Sequence, residues 1–503
     1  MKLIKRPFRF IILAFLLFSL NTSAQIKLPS IFGDHMVLQQ KQQNPVWGWA
    51  NAGEVIQVRI NGQEHKTIAD QKGYWKITLR PIPVGGPYIM DIEGDNSKFY
   101  FEDVLVGEVW ICSGQSNMAW SLKNTNSGEL AVLTAKNPNI RLITVPRVGI
   151  DQPQNDFEGS WEECNSETAK NFSAIGYFFG QNLEAALDVP IGLINNAWGG
   201  SAAEAWVNKE AITRDGKYKE LLTRWSDIEK TYDYKSELKK WDENGKKGNR
   251  PNDLLKGNHR PANIYNGVLH PTIGYGIKGV IWYQGESNAG RAYQYRDLFP
   301  LMIQNWRDEW QQGNFPFYYV QLADFKEEKA EPGDSDWAEL REAQTMTKSK
   351  LSNVEEAVII DLGEGRDIHP RNKKTVADRL SRIALARDYQ KDIIYAGPAY
   401  QSMKIEGDKI ILTFNNVGQG LYAFDQKEPI GFAISGEDKN FKWADAKIIS
   451  SNQIEVSHAS INNPVAIRYA WADNPRCNMY NRDGLPMTPF RTDEWKGITY
   501  GKN

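Results

Sequence analysis

Cysteine is scarce in this chain of 503 residues, which holds only Cys112, Cys164 and Cys477. Three thiols can close one disulfide at most, so a disulfide-stapled scaffold is excluded. No CxxC pair, HExxH segment or Walker-type loop occurs either, which leaves no sequence basis for a thiol, zinc or P-loop enzyme. An excess of one charge is also lacking, with 60 basic against 62 acidic side chains. Electrostatics therefore gives no case for nucleic acid or an anionic membrane surface as partner, and a neutral or mildly polar ligand fits better. The longest apolar run, Phe10 to Leu20, follows Lys2, Lys5, Arg6 and Arg9 and precedes the small residues Thr22, Ser23 and Ala24. It is too short for the ~20 apolar residues of a spanning helix and reads as a cleaved signal peptide over residues 1–24. The expectation is an extracytoplasmic protein, periplasmic or secreted, without stable membrane insertion.

Apolar residues make up 41% of the chain, enough for large cores, and its length exceeds what one core normally serves. Seventeen Trp suit stacking on sugar rings and packing between β-layers equally. Residues 25–104 alternate strand and turn, with Asn61-Gly62 as punctuation, and predict a small β-sandwich. Residues 105–391 carry apolar strands at Glu108–Cys112, Ile140–Val145, Ile191–Asn195, Lys278–Tyr283, Phe317–Gln321 and Ala357–Asp361. Helical spacing recurs at Phe172–Leu187, Tyr293–Trp310 and Pro370–Arg387. Such alternation predicts a parallel, doubly wound α/β sheet. A polar, Lys-rich stretch around residues 215–255 reads as a helical surface insertion, and residues 392–503 return to a β pattern.

Ligands of such sheets bind where parallel strands end, and four segments fall there. Val109 to Met118 runs from an apolar strand through Gly114 to Ser116, whose hydroxyl would sit at a helix start among free N–H groups. Ile194 to Ser201 places Gly199 and Gly200 where a backbone can approach a ligand. Gly279 to Asn288 supplies Gln284, an amide donor, and Glu286, a carboxylate. Asp367-Ile-His-Pro370 leaves His369 at the entrance of a helix that Pro370 is suited to begin. Singly, each has a structural reading: cap, turn, ion pair, cap. Their joint occurrence on one sheet points to a site. Of the six histidines, His369 alone follows a core strand; His259 and His270 precede one, at the opposite edge, while His35, His65 and His458 fall in the flanking β units.

The segments GQSNM, WGG, WYQGESN and DIHP, with Gly107–Trp110, Ile264–Pro271 and Asn478–Arg491, resemble those of the sialate O-acetylesterase family within the SGNH-hydrolase superfamily. The resemblance spans nearly all of the chain beyond residue 24. It implies a serine esterase that removes O-acetyl groups from sugars, a three-layer α/β/α flavodoxin-like core, and no metal or other cofactor. By position, Ser116 would be the nucleophile and His369 its general base. The N–H groups of Ser116 and of Gly199 or Gly200, with the Gln284 side chain, would hold the oxyanion. The superfamily places an Asp three residues before the histidine, where this chain has Arg366, and Asp367 lies two before. Glu286 is favoured as the triad acid, because a carboxylate on a neighbouring strand end reaches the imidazole without a strained two-residue loop; Asp367 is the alternative. Trp198, Trp206 and Arg366 are candidate substrate contacts by proximity to these motifs. Acetylated sialic acid and acetylated plant polysaccharide compete as substrates, and a non-catalytic carbohydrate-binding protein is the reading from another class.

Overall fold

The computed structural model describes residues 25–95 and 97–502, so the expected signal peptide lies outside the described residues. The protein is built on one strand, β1 (Lys98–Gly114). Its first part pairs antiparallel with Gly85–Glu93 and, near its middle, parallel with Val37–Gln39. Val104 to Gly114 is buried throughout, as a near-continuous apolar run predicts for a strand covered on both faces. The boundary read at residues 104 and 105 thus falls inside a single strand, which joins the N-terminal β unit to the central mixed sheet.

The central sheet contains β2 (Asn137–Thr144), β3 (Glu162–Cys164), β4 (Ile191–Asn195), β5 (Gly279–Tyr283), β6 (Phe317–Val320) and β7 (Val354–Ala357). Their order is β7-β6-β5-β1-β4-β2-β3, parallel except for β3. From β1 the chain moves first to one side and then to the other, so β1 is the point where the winding reverses, the place where doubly wound sheets bind ligands.

Helices α1 (Ser116–Ala119) and α2 (Ala174–Leu187) follow β1 and β3. The expected insertion forms α3 (Lys219–Thr231) and α4 (Tyr234–Glu243), largely exposed. Then come α5 (Ala292–Trp310), α6 (Asp336–Lys350) and α7 (Lys373–Arg387). Trp110 packs edge-on against Phe179 of α2, whereas Trp282, in register with Ser113, packs on Phe299 and Trp306 of α5. Trp110 and Ser113 are three apart on one strand and so face opposite sides, which puts helices on both faces of the sheet.

Two expectations shift, and one helix was not legible in the sequence. The last core strand is Val354–Ala357, because Val358 and Ile360 turn into the core of the C-terminal β-rich unit rather than extending the sheet. Helix α6 carried no legible periodicity, since its buried positions include Glu339, Arg341, Gln344 and Thr347 beside Leu340. Helix α7 begins at Lys373 rather than Pro370, with the Asn372 side chain accepting from the Thr375 N–H as cap. All three cysteines are free, and burial raises the Cys112 thiol above its ordinary pKa. Among the described residues no helix is long and apolar enough to cross a membrane.

Candidate active site

Ser116 opens α1 immediately beyond β1, and the turn that delivers it depends on Gly114. Its φ of 127° lies where side chains are rarely tolerated, and a Cβ there would stand 2.1 Å from the Tyr283 carbonyl oxygen of β5. The two strand ends are stitched further by the Gln115 N–H, which donates to that same carbonyl, and by the Gly285 N–H, which donates to Gln115 Oε1.

His369, 253 residues later, meets Ser116 directly: its Nε2 lies 2.8 Å from Ser116 Oγ. Trp120 stacks on the imidazole with ring centroids 5.1 Å apart and planes 17° apart, which limits its rotation. The carboxylate behind it is Asp367, whose Oδ1 lies 3.6 Å from His369 Nδ1 and accepts the His369 backbone N–H at 2.9 Å. The short turn from Asp367 to His369 is thus itself hydrogen-bonded. Burial, reinforced by the nearby Lys373 ammonium and opposed by Asp367, holds the His369 pKa below the ordinary histidine value.

Glu286 is not at the imidazole. Its Oε1 accepts from Asn117 Nδ2 at 2.7 Å, and its Oε2, shut off from solvent, has no hydrogen-bond partner. Burial raises its pKa. The two-residue reach from Asp367 needs no strained loop, because the Asp367 side chain folds back on its own turn. Gln284 is likewise spent elsewhere. Fully buried, it donates through Nε2 to the Ser201 carbonyl at 3.1 Å and to Asn288 Oδ1 at 2.7 Å, while its Oε1 accepts from the Tyr295 hydroxyl. Both amide hydrogens are used, so none is left for an oxyanion. Gln284→Ala therefore acts on the fold: three lost buried hydrogen bonds should cost about 1–3 kcal/mol each where a partner is stranded. Thermal unfolding should report that loss, with kcat of the remaining folded enzyme changed only modestly.

The glycine segment stays beside Ser116. A Cβ on Gly199 would lie 3.4 Å from Ser116 Cβ, the distance of ordinary contact, and Trp198 donates its N–H to the Gly114 carbonyl. The Gly199 carbonyl accepts from Asn258 Nδ2 at 2.6 Å, and that of Gly200 accepts from His259 Nε2 at 2.7 Å and Ser287 Oγ at 3.0 Å. Pinning those oxygens fixes the peptide planes, and with them the opposed N–H of the next residue. His259, set at the wrong edge by its place in the sequence, is thus at the rim, because the chain returning from the α3–α4 insertion crosses it. Trp206 is not placed to touch a substrate: it is fully buried, donates to Ser201 Oγ and packs on Trp282 and Trp306. Trp198 remains half-buried at the rim, and Arg366 is exposed on the loop before His369.

Asn117, Trp120, Asn196, Asn258 and Lys373 escaped sequence reasoning. Asn196 is buried with neither side-chain atom hydrogen-bonded, directly after β4. One signal was available for Asn117, its place directly after Ser116 in the GQSNM segment. Away from this rim, His35, Asp103 and Glu163 lie close enough to share an ion, yet the Arg141 guanidinium already donates to Asp103 at 2.7 Å and approaches Glu163 at 3.6 Å.

A hydroxyl hydrogen-bonded to an imidazole, beside glycine amides at the C-terminal rim of a parallel sheet, is the equipment of acyl transfer, and the class it defines is that of ester hydrolases. The chain belongs to the carbohydrate esterase, sialic acid-specific acetylesterase family, whose sequence pattern matches residues 106–241 and 258–385. Human sialate O-acetylesterase is 30% identical over 512 aligned residues, covering 92% of each chain. The rat enzyme of the same name is 29% identical, over 92% of this chain and 94% of that one. A carbohydrate acetylesterase from Xanthomonas citri, known by crystal structure, superposes with a TM-score of 0.82 at 37% identity, covering 93% of this chain and all of its own.

Proposed function

We propose that this protein is an exported serine esterase that hydrolyses O-acetyl esters of carbohydrates through an acyl-enzyme. The observation that carries the reading is the 2.8 Å contact between His369 Nε2 and Ser116 Oγ. His369 takes the Ser116 proton as Oγ attacks the acetyl carbonyl. The N–H groups of Ser116 and of Gly199 or Gly200 stabilise the oxyanion. The imidazolium, balanced by Asp367, then protonates the departing sugar oxygen, and water, activated by the same imidazole, releases acetate. No metal or other cofactor enters this scheme. Trp198 and Arg366 flank the path of an entering sugar. With this reading goes an SGNH-type, flavodoxin-like core over residues 105–391, flanked by the β units of residues 25–104 and 392–503.

Acetylated sialic acid is the leading substrate, supported by the family and by the human and rat relatives. A second reading is an acetylated polysaccharide, since the Xanthomonas relative, of higher identity, is named for carbohydrates in general. Acetate release across O-acetylated sialosides and xylo-oligosaccharides tests both: turnover of the first and not the second selects the leading reading, and the reverse selects the other. Glycan binding with no acetate released from either would favour the non-catalytic alternative.

A pH dependence follows. Only the neutral imidazole accepts the serine proton, and burial keeps His369 neutral to lower pH than an ordinary histidine. The acid limb of kcat/KM should fall below the ordinary histidine value of 6.5. A limb centred above it would contradict the assignment.

A further inference from the structure

Asn117 follows the nucleophile in sequence, is buried, and has its side chain engaged three ways. Nδ2 donates to Glu286 Oε1 at 2.7 Å and to the Ile368 carbonyl at 3.0 Å, while Oδ1 accepts from Lys373 Nζ at 2.5 Å. The partners come from the segment after β5, the loop carrying the base, and the first turn of α7. Ile368 precedes His369 and Lys373 lies four residues beyond it, so one amide grips the base loop on both sides. With both hydrogens committed, Asn117 has one orientation available.

Lys373 is fully buried. Its ammonium lies 5.8 Å from the centre of the Trp120 ring, which stacks on His369, and 5.5 Å from that of Tyr283 on β5. The carboxylates that face it are Glu286 from the segment after β5, and Glu364 and Asp367 from the loop before His369. A charge held this deep is costly unless compensated. Neither Lys373 nor Glu286 has a hydrogen bond to Ser116 or to the imidazole, and the scheme for ester hydrolysis uses neither.

We propose that Asn117, Lys373 and Glu286 form a buried positioning unit, which clamps the His369 loop against Ser116 and holds an ammonium behind the general base with Glu286 as its counter-charge. The inference rests on the esterase reading of Ser116 and His369. It assigns the carboxylate of the QGE segment to Lys373, through Asn117, rather than to the triad. The ammonium disfavours a second positive charge on His369 and so favours the imidazole form that accepts a proton. Burial lowers the Lys373 pKa to about 7, so the charge depends on Glu286 for its persistence at neutral pH.

The test compares Lys373→Met, Glu286→Gln and the double variant in the full chain, by kcat and KM for an aryl acetate across pH, with thermal unfolding alongside. Lys373→Met should lower kcat about tenfold with KM within about twofold, the signature of a lost transition-state arrangement. Its acid limb should move to higher pH, because removing the ammonium makes His369 easier to protonate. Glu286→Gln should move the limb the same way, and the double variant should lose no more than Lys373→Met alone, since the two act as one unit. A folded Lys373→Met enzyme with an unmoved acid limb and unchanged kcat overturns the proposal, as does simple additivity. Should Lys373→Met not fold, Asn117→Ala carries the test: kcat about 100-fold lower at unchanged KM supports the clamp, and unchanged kcat overturns it. Failure of the esterase reading registers separately, as activity that survives Ser116→Ala.

Discussion

Ser116→Ala should lower kcat for an aryl acetate by about 10⁵ to 10⁶-fold while leaving the protein folded. The magnitude follows from the role: without Oγ no acyl-enzyme forms, and what remains is the modest effect of amide donors and substrate positioning on direct attack by water. Stability should hold, because the Ser116 side chain is only half-buried and its hydrogen bond is to a partly exposed imidazole that water can serve. A change within about 0.5 kcal/mol is expected. The variant should still bind its acetylated sugar, which makes it the reagent for measuring affinity without turnover. Activity within tenfold of the parent enzyme would remove Ser116 from the mechanism and with it the role of His369 as its base.

Ser116 could be placed at the rim from the sequence because it lies directly past a strand whose apolar run is unambiguous. His369 instead stands on the long segment between Ala357 and Lys373, past a strand that does not neighbour β1, and only that segment's path brings it to Ser116. The identity of the strand fixes the rim but not where a side chain turns within it. Gln284 and Glu286 illustrate this: they are two residues apart on the right segment, yet Gln284 folds into the layer between Ser201 and Tyr295, and Glu286 swings to Asn117. Such choices depend on Ser201 of the glycine segment and Asn117 of α1, far off in sequence, and on Tyr295 of α5, whose direction the local pattern does not give. His259 was missed for a different reason. Sequence order sets it before β5, at the far edge, but the return of the insertion carries it across the sheet to Gly200. The helix Asp336–Lys350 was hidden because polar side chains occupy its buried face, Arg341 among them, donating to the carbonyls of Leu322, Ala323, Ala472 and Asp473. Hydrophobic periodicity cannot register a face buried by hydrogen bonds. The shift of the last core strand has the same origin in packing, since Val358 and Ile360 serve a second core that the local pattern does not reveal.

The second large effect should separate the two carboxylates. Asp367→Asn should lower kcat by about 10² to 10³-fold, whereas Glu286→Gln should lower it by less than about tenfold. Asp367 faces the Nδ1 side of the imidazole at 3.6 Å and holds the turn through the His369 N–H. Replacing it removes the charge that balances the imidazolium as the serine proton arrives. The loss should be smaller than for a fully buried triad acid, because Asp367 is partly exposed and Arg371 Nη2 lies 3.5 Å from its other oxygen, drawing on the same charge. Asparagine keeps an acceptor for the backbone N–H, so the turn should persist and the defect should appear in kcat rather than in thermal stability. Glutamine at 286 still accepts from Asn117, so the nucleophile and base stay in place and only the counter-charge of Lys373 is lost. A reversed order, with Glu286→Gln the more damaging by tenfold or more, would return Glu286 to the triad and require the imidazole to rotate toward it during turnover, away from its stack on Trp120.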